Sequence, residues 1–175
     1  MNMLAYDEYR SPQGPMLLTA TEKGLAGVYF RGQKHFPGRR GWRRDARHPV
    51  LRRARQELAQ YFAGRRKRFR VALDPQGTAF QRRVWKAIAR VNYGRTITYG
   101  ELAKRAGAPG SARAAGAATG RNPIGIIVPC HRILGANGSL TGYAAGLARK
   151  RTLLDLEGAR RSPPSGAGAR SENFA

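Results

Sequence analysis

The sequence predicts an α/β (α+β) fold: an N-terminal three-to-four-stranded sheet with a helix, then a mostly helical C-terminal domain. Three observations carry this. Residues 4–31 alternate short apolar runs with turn signals, the pattern of antiparallel strands. Residues 78–120 carry helix-start signals ahead of apolar residues at helical spacing. Between them, Pro75–Gly77 interrupts both patterns. The expected domains are therefore 1–76, strand-rich, and 77–160, mostly helical, with 161–175 as a disordered tail.

In the first domain, MLAYDEYR and GPMLLTA flank the turn-rich SPQG, and TEKG leads into LAGVYFR. Two turns between short apolar runs predict a meander. RGQKHFPGRRGWRRDARH is basic and glycine-rich and reads as a mobile loop. His48–Pro49 opens a helix, since a first-turn proline lacks only an N–H that would be unpaired anyway. Leu51, Ala54, Leu58, Tyr61 and Phe62 form its apolar stripe, and Gly64 ends it. RFRVALD alternates Phe69, Val71 and Leu73, which predicts one more strand.

In the second domain, Thr78–Gln81 fits a capping box, and Phe80, Val84, Ile88 and Val91 share one face of the following helix. Asn92-Tyr93-Gly94 stops it. Thr98–Glu101 is a second capping box, with Ile97 and Leu102 as its hydrophobic staple. That helix ends near Gly107, and Ser111 is placed to cap a third, SARAAGAATG. Two short helices joined by a tight turn suggest a helix-turn-helix. The third helix is nearly all Ala and Gly, with Arg113 alone in its first turn. Such a bare surface suits close packing on a neighbouring helix, and it equally suits close approach to a flat partner. The tail SPPSGAGARSENFA has the composition of disorder.

Charge favours a nucleic-acid partner. The 175 residues carry 33 Lys and Arg against 10 Asp and Glu, a formal net charge of +23. Most of the excess is arginine, which grips phosphate through a planar fork of donors. A solvated basic surface, or an arginine-favouring genome, would leave the same mark. No apolar stretch approaches membrane-spanning length, and the first residues lack a signal-like apolar region, so no membrane partner is expected. One cysteine excludes an internal disulfide and suggests a reducing, cytoplasmic compartment. His35, His48 and His131 show no ligand-like spacing, so no metal and no cofactor are expected.

The cysteine itself sits in IGIIVPCHR, an apolar run that reads as a buried strand ending at Pro129, where a ladder N–H is lost. A lone Cys is commonly a small core hydrophobe. Here His131 adjoins it and could perturb a thiol whose ordinary pKa is near 8.5. Neighbouring side chains diverge on strands and helices alike, so communication needs an irregular turn, with a water between the groups. The helix GLARKRTLLDLEG offers an orienting carboxylate: Leu147 and Leu154 share its inner face, and Glu157 falls on roughly that side. A carboxylate at a helix C-terminus opposes the dipole, a mild pointer to function. A surface Glu paired with Arg fits that pattern as well. Asn122 and Tyr99 are ordinary when taken alone: a loop amide before Pro123 and a half-buried aromatic.

Together these residues resemble one family, the O6-alkylguanine-DNA alkyltransferases, also called methylated-DNA–protein-cysteine methyltransferases. The matching text is GTAFQRRVWKAIARVNYGRTITYGELA, SARAAGAATGRNP and IVPCHRILGANGSLTGYAAGLARKRTLLDLEG, about residues 77–158. The resemblance implies that Cys130 accepts the alkyl group, with His131 (through a water) and Glu157 generating its thiolate. It makes Asn122 the hinge into the active-site turn and Tyr99 the proton donor to the departing base. Arg113 becomes the finger that fills the gap left by a flipped nucleotide. Tyr99, Gly100, Ala114, Ala117 and Arg82 would join Arg113 against DNA, and Tyr143, Pro129 and Ser139 would line the base pocket. The implied partner is double-stranded DNA carrying O6-alkylguanine (O4-alkylthymine being a further candidate), bound through the minor groove by a monomer in a single-turnover reaction. The zinc ligands that some relatives carry in the N-terminal domain are not evident, so no zinc is expected; the separate cysteine-rich module of some adaptive-response relatives is lacking, so no transcriptional role is expected. Two other readings remain open at this point: a non-catalytic binder of alkylated DNA, and a basic helix-turn-helix DNA-binding protein.

Overall fold

Strands β1 (Ala5–Ser11) and β2 (Gly14–Ala20) form a hairpin, with register from Ala5↔Ala20 to Ser11↔Gly14. β3 (Leu25–Phe30) pairs antiparallel with β2, as the meander pattern predicts. In this computed structural model, which describes residues 3–159, the described chain forms two units: 3–76 with 123–125, and 77–122 with 126–159. The expected disordered tail, 161–175, lies outside the described residues.

In the first unit, helix α1 (Pro49–Phe62) packs on β1, β2 and β3 through Leu51, Ala54, Leu58 and Tyr61, all buried. His48 is its N-cap: Nδ1 accepts from the Val50 N–H at 3.2 Å. Gly64, at φ 74°, follows the helix, a conformation that suits a residue without Cβ.

Two expectations fail here, for connected reasons. RFRVALD is not a strand; it makes only a bridge, Leu25↔Leu73. Glu57, buried on α1, takes the N–H groups of Arg70 (2.7 Å) and Val71 (3.1 Å) that a ladder would use. The fourth strand, β4 (Arg43–Arg44), lies instead in the arginine-rich loop and pairs parallel with β1, giving the order β3-β2-β1-β4. That loop is also anchored. Trp42 packs with Tyr6 and Tyr29, and Phe36 meets both Tyr29 and Trp42 edge-on at 5.3 and 5.8 Å. Glu57→Ala strands two backbone donors and uncouples Arg53 and Arg66. It should cost about 2–4 kcal/mol in denaturant unfolding, whereas Phe62, half-buried at the helix end, should tolerate Leu.

In the second unit, α2 (Ala79–Ala89) begins with the full reciprocal box: Thr78 Oγ1 accepts from the Gln81 N–H, and Gln81 Oε1 accepts from the Thr78 N–H. β5 (Ile97–Thr98) runs into α3 (Tyr99–Arg105), with the staple residues Ile97 and Leu102 both buried. Its box is only half made. Thr98 Oγ1 accepts from the Glu101 N–H, but the Glu101 carboxylate turns to Arg105 Nε at 3.1 Å, an i,i+4 ion pair. Ser111 holds the N-cap position of α4 (Ala112–Gly120) without a side-chain cap bond. α4 packs through Ala115, Ala118 and Thr119, and Trp85 Nε1 donates to the Ala118 carbonyl at 2.8 Å. The packing reading of this small-residue helix therefore holds for one face, while Arg113, Ala114 and Ala117 stand exposed on the other.

β6 (Ile133–Leu134) pairs parallel with β5, and α5 (Leu147–Glu157) closes the unit. Its inner face is not the one expected. Leu147 is 46% exposed, while Lys150, Leu153, Leu154 and Glu157 are buried. A lysine takes the place of the apolar residue because its ammonium finds carbonyl partners inside. Among the described residues, no helix is long and apolar enough to cross a membrane.

Candidate functional site

The run ahead of the cysteine does not form a strand. Only Ile124 bridges, to Val28, and Ile126 turns the chain at φ 67°. A β-branched residue is held in that region only by its surroundings, and Ile126 is fully buried. The consequence is a chain that doubles back into Pro129 and then a single 3-10 turn, Cys130–Arg132, rather than continuing outward. This is the irregular turn that the adjacent Cys and His require.

Within the turn, Cys130 is 8% exposed. Burial pushes its thiol up; a hydrogen bond from Asn122 and the charge of Lys150 work the other way without overcoming it. The sulfur at rest is therefore a neutral thiol. Asn122 is buried and also donates Nδ2–H to the Val128 carbonyl at 2.8 Å, so one amide ties the end of α4 to the turn.

His131 is wholly buried. Its Nε2 lies 2.7 Å from Glu157 Oε2. Burial opposes ionisation of Glu157, but His131 and Arg132 outweigh it and hold its carboxyl well below the usual carboxylate range. Arg132 does this with a fork: Nε to Oε1 at 2.8 Å and the second nitrogen to Oε2 at 3.0 Å, its third nitrogen going to the Val91 carbonyl. Burial pushes His131 below its ordinary value, so the ring is neutral at pH 7. An ionised carboxylate only accepts, so the ring proton sits on Nε2 and Nδ1 carries a lone pair. That Nδ1 is buried and, among the described residues, has no hydrogen-bond partner.

Sequence reasoning missed Arg132 and Lys150. Lys150 Nζ donates to the carbonyls of Ile133 (2.6 Å), Thr141 (2.9 Å) and Gly142 (3.2 Å). Burial lowers it to about 8, against the opposing pull of Cys130, so it is charged at pH 7. Its position seven residues before Glu157, on the face of Leu153 and Leu154, was a legible signal. Lys150→Met should lower alkylation of Cys130 at pH 7 severalfold, because losing the nearby ammonium raises the thiol pKa further and leaves less thiolate. In the unaltered chain Lys150 discharges as pH rises through 8, which should flatten the gain in rate expected from thiol ionisation. Alkylation rates with a free electrophile between about pH 6 and 9 read both effects.

Tyr99 and Tyr143 also belong to this cluster, since burial raises both hydroxyls and the neighbouring Cys130 adds to the shift. Tyr99 donates to the Thr141 carbonyl at 3.3 Å. Pro129 is buried at the head of the turn, whereas the backbone bonds of Ser139 stay within the 135–139 turn. Gly100 of α3 is exposed like Arg113, Ala114 and Ala117 of α4. Arg82 is exposed too, but on α2, outside the helix-turn-helix.

Comparison with known proteins fixes the frame for this geometry. Residues 4–75 match the family "6-O-methylguanine DNA methyltransferase, ribonuclease-like domain", and residues 79–159 match "6-O-methylguanine DNA methyltransferase, DNA binding domain". The chain belongs to the 6-O-methylguanine DNA methyltransferase family. A methylated-DNA–protein-cysteine methyltransferase of Mycolicibacterium paratuberculosis is 47% identical over 163 residues, covering 93% of this chain and 97% of that one. One from Methanosarcina acetivorans is 50% identical over 154 residues, covering 87% and 97%. The crystal structure of Mycobacterium tuberculosis OGT in complex with DNA has a TM-score of 0.82 and 46% identity, covering 93% of this chain and 96% of that one. The family likeness thus spans both units, including the strand-rich part that the motif text alone left out. For a methyltransferase of this family, a buried thiol beside a base whose proton-accepting nitrogen is unpaired is the feature that calls for explanation.

Proposed function

We propose that the chain is a DNA-repair methylated-DNA–protein-cysteine methyltransferase that moves the alkyl group of O6-alkylguanine onto Cys130 once per molecule. The observation that carries this is the His131 relay: Glu157 fixes the Nε2–H tautomer and leaves Nδ1 as the only basic nitrogen facing away from the carboxylate. The thiol proton passes through a bridging water to Nδ1, and the thiolate sulfur attacks the alkyl carbon as its bond to O6 breaks. Tyr99 protonates the departing guanine and is restored by the imidazolium, so the proton lost by sulfur ends on the base. The thioether resists displacement by water, because its C–S bond is strong and a thiolate leaves poorly from an alkyl carbon, which makes the reaction stoichiometric.

The partner is DNA. The reading adds that a single copy binds through the minor groove with the exposed Ala114 and Ala117 face of α4, in a reducing, cytoplasmic compartment, and that the target base is turned out of the duplex. Arg113, exposed at the start of α4, fills the gap. Incubation with duplex carrying labelled O6-methylguanine should place at most one label on each chain; repeated turnover would refute the mechanism. Arg113→Ala should slow repair in duplex about tenfold, the equivalent of roughly 1.4 kcal/mol of stacking support, and leave reaction with free O6-benzylguanine within twofold. Equal losses on both substrates would remove Arg113 from base flipping.

A further inference from the structure

Half of the positive charge sits away from the transfer chemistry. Residues 1–76 hold 17 of the 33 Lys and Arg and six of the ten Asp and Glu. Several of these arginines converge on one open groove of about 760 Å³ along α1, lined by Pro49, Arg52, Arg53, Arg55, Gln56, Glu57 and Arg66. All seven residues belong to the first unit.

Three of the groove's four guanidinium groups are braced. Arg53 gives Nε to Glu57 Oε2 at 3.2 Å, and its terminal nitrogens make no hydrogen bond among the described residues. Arg66 is fixed by Gln60 Oε1 at 2.7 Å and by the Arg68 carbonyl at 2.8 Å. Arg55 is clamped between Asp7 and the Ala46 carbonyl. Arg52 is exposed and, among the described residues, its side chain has no partner. Glu57 and Asp7 are both buried behind these groups, so they orient the arginines more than they screen the outer face. Fixed guanidinium planes with unused donors match phosphodiester oxygens, and they lose less side-chain freedom on binding than free surface lysines would. An open trough suits a continuous polymer better than a small anion, which would be left hydrated on one side.

We infer that this groove grips the sugar-phosphate backbone of duplex DNA without regard to sequence or lesion, as a second DNA-contacting surface on a different unit from α3 and α4. The choice of DNA as the polymer rests on the function proposed above; the grip itself needs no alkyl transfer. It accounts for arginine on a unit that holds none of the transfer residues.

The test is the salt dependence of binding of the full chain to undamaged duplex, because each neutralised phosphate adds about 0.9 to the slope of log K against log salt. Arg52→Gln should lower the slope by about one, and Arg52→Gln with Arg53→Gln by about two. Transfer from free O6-benzylguanine should keep its rate in both variants. If the double variant unfolds for want of the Arg53–Glu57 brace, Arg52→Gln decides alone, since the fold makes no use of that side chain. An unchanged slope in Arg52→Gln overturns the inference. So does polyglutamate that binds the intact chain but not Arg52→Gln while leaving the bound duplex in place, which would mark a surface for acidic protein segments. Failure of the intact chain to take up any alkyl group would instead defeat the proposed function, and the slope would still judge the groove.

Discussion

Cys130→Ser will gain no mass after exposure to duplex carrying O6-methylguanine, a loss on the order of 10⁴-fold or more in transfer rate. Serine fills nearly the same space, so the turn, with its Asn122 bond and the backbone bond from Cys130 N–H to the Val128 carbonyl at 2.8 Å, should survive. What changes is the nucleophile. A serine hydroxyl ionises far above a thiol, and the relay proposed for His131, which takes one proton from a group only moderately acidic, cannot make up that gap. Affinity for the alkylated duplex should stay within about threefold, because phosphate contacts and the exposed face of α4 do not involve the sulfur. Intact-mass spectrometry after exposure to the duplex, with a binding titration alongside, separates the two. A Cys130→Ser chain that still gained a methyl group would place the acceptor elsewhere or make the sulfur dispensable. Loss of binding together with transfer would show that the substitution damaged the fold rather than the chemistry.

How much of this was written in the sequence depends on whether a signal was local. The hairpin, α1 and α2 follow from apolar period and capping residues that act within a few positions, and Thr78 with Gln81 makes the box their spacing promises. Where expectation failed, a distant group had claimed a local one. Glu101 left its box for Arg105, and Glu57 took the backbone donors that would have made 68–74 a strand. The apolar run before Cys130 read as a strand because burial and β-branching are common to strands and to buried turns alike; nothing local announces Ile126 at positive φ. In the site, Cys130, His131 and Glu157 were legible by residue type. Arg132 and Lys150 were not legible by type, because a charged residue is assumed solvated until its partners are seen; only the helical spacing of Lys150 from Glu157 pointed inward. Their burial is made possible by Glu157 for one and by three carbonyls for the other.

Glu157→Gln should do two things at once, and they can be read separately. First, it leaves the Arg132 guanidinium, 5% exposed, without its counter-charge in the interior. Breaking one side of such a buried pair costs about 3–5 kcal/mol, read from the denaturant midpoint. Second, a Gln amide can donate as well as accept, so it no longer dictates which His131 nitrogen carries the proton; Nδ1 then loses its fixed role as acceptor, and alkylation should need higher pH. The acid limb supplies an independent check. Glu157 titrates lower in the folded chain than its ordinary 4.5, so its stabilisation is complete above that value and is lost as pH falls below it toward the lowered folded value. His131, lowered from 6.5 by burial, acts in the same direction over the window below 6.5. The unaltered chain should therefore lose stability steadily on acidification from about pH 6.5, and the Gln variant, already weakened, should lose less per unit below 4.5. Parallel stability–pH curves, together with an alkylation profile unmoved on the pH axis, would show that Glu157 neither holds the fold electrostatically nor sets the base.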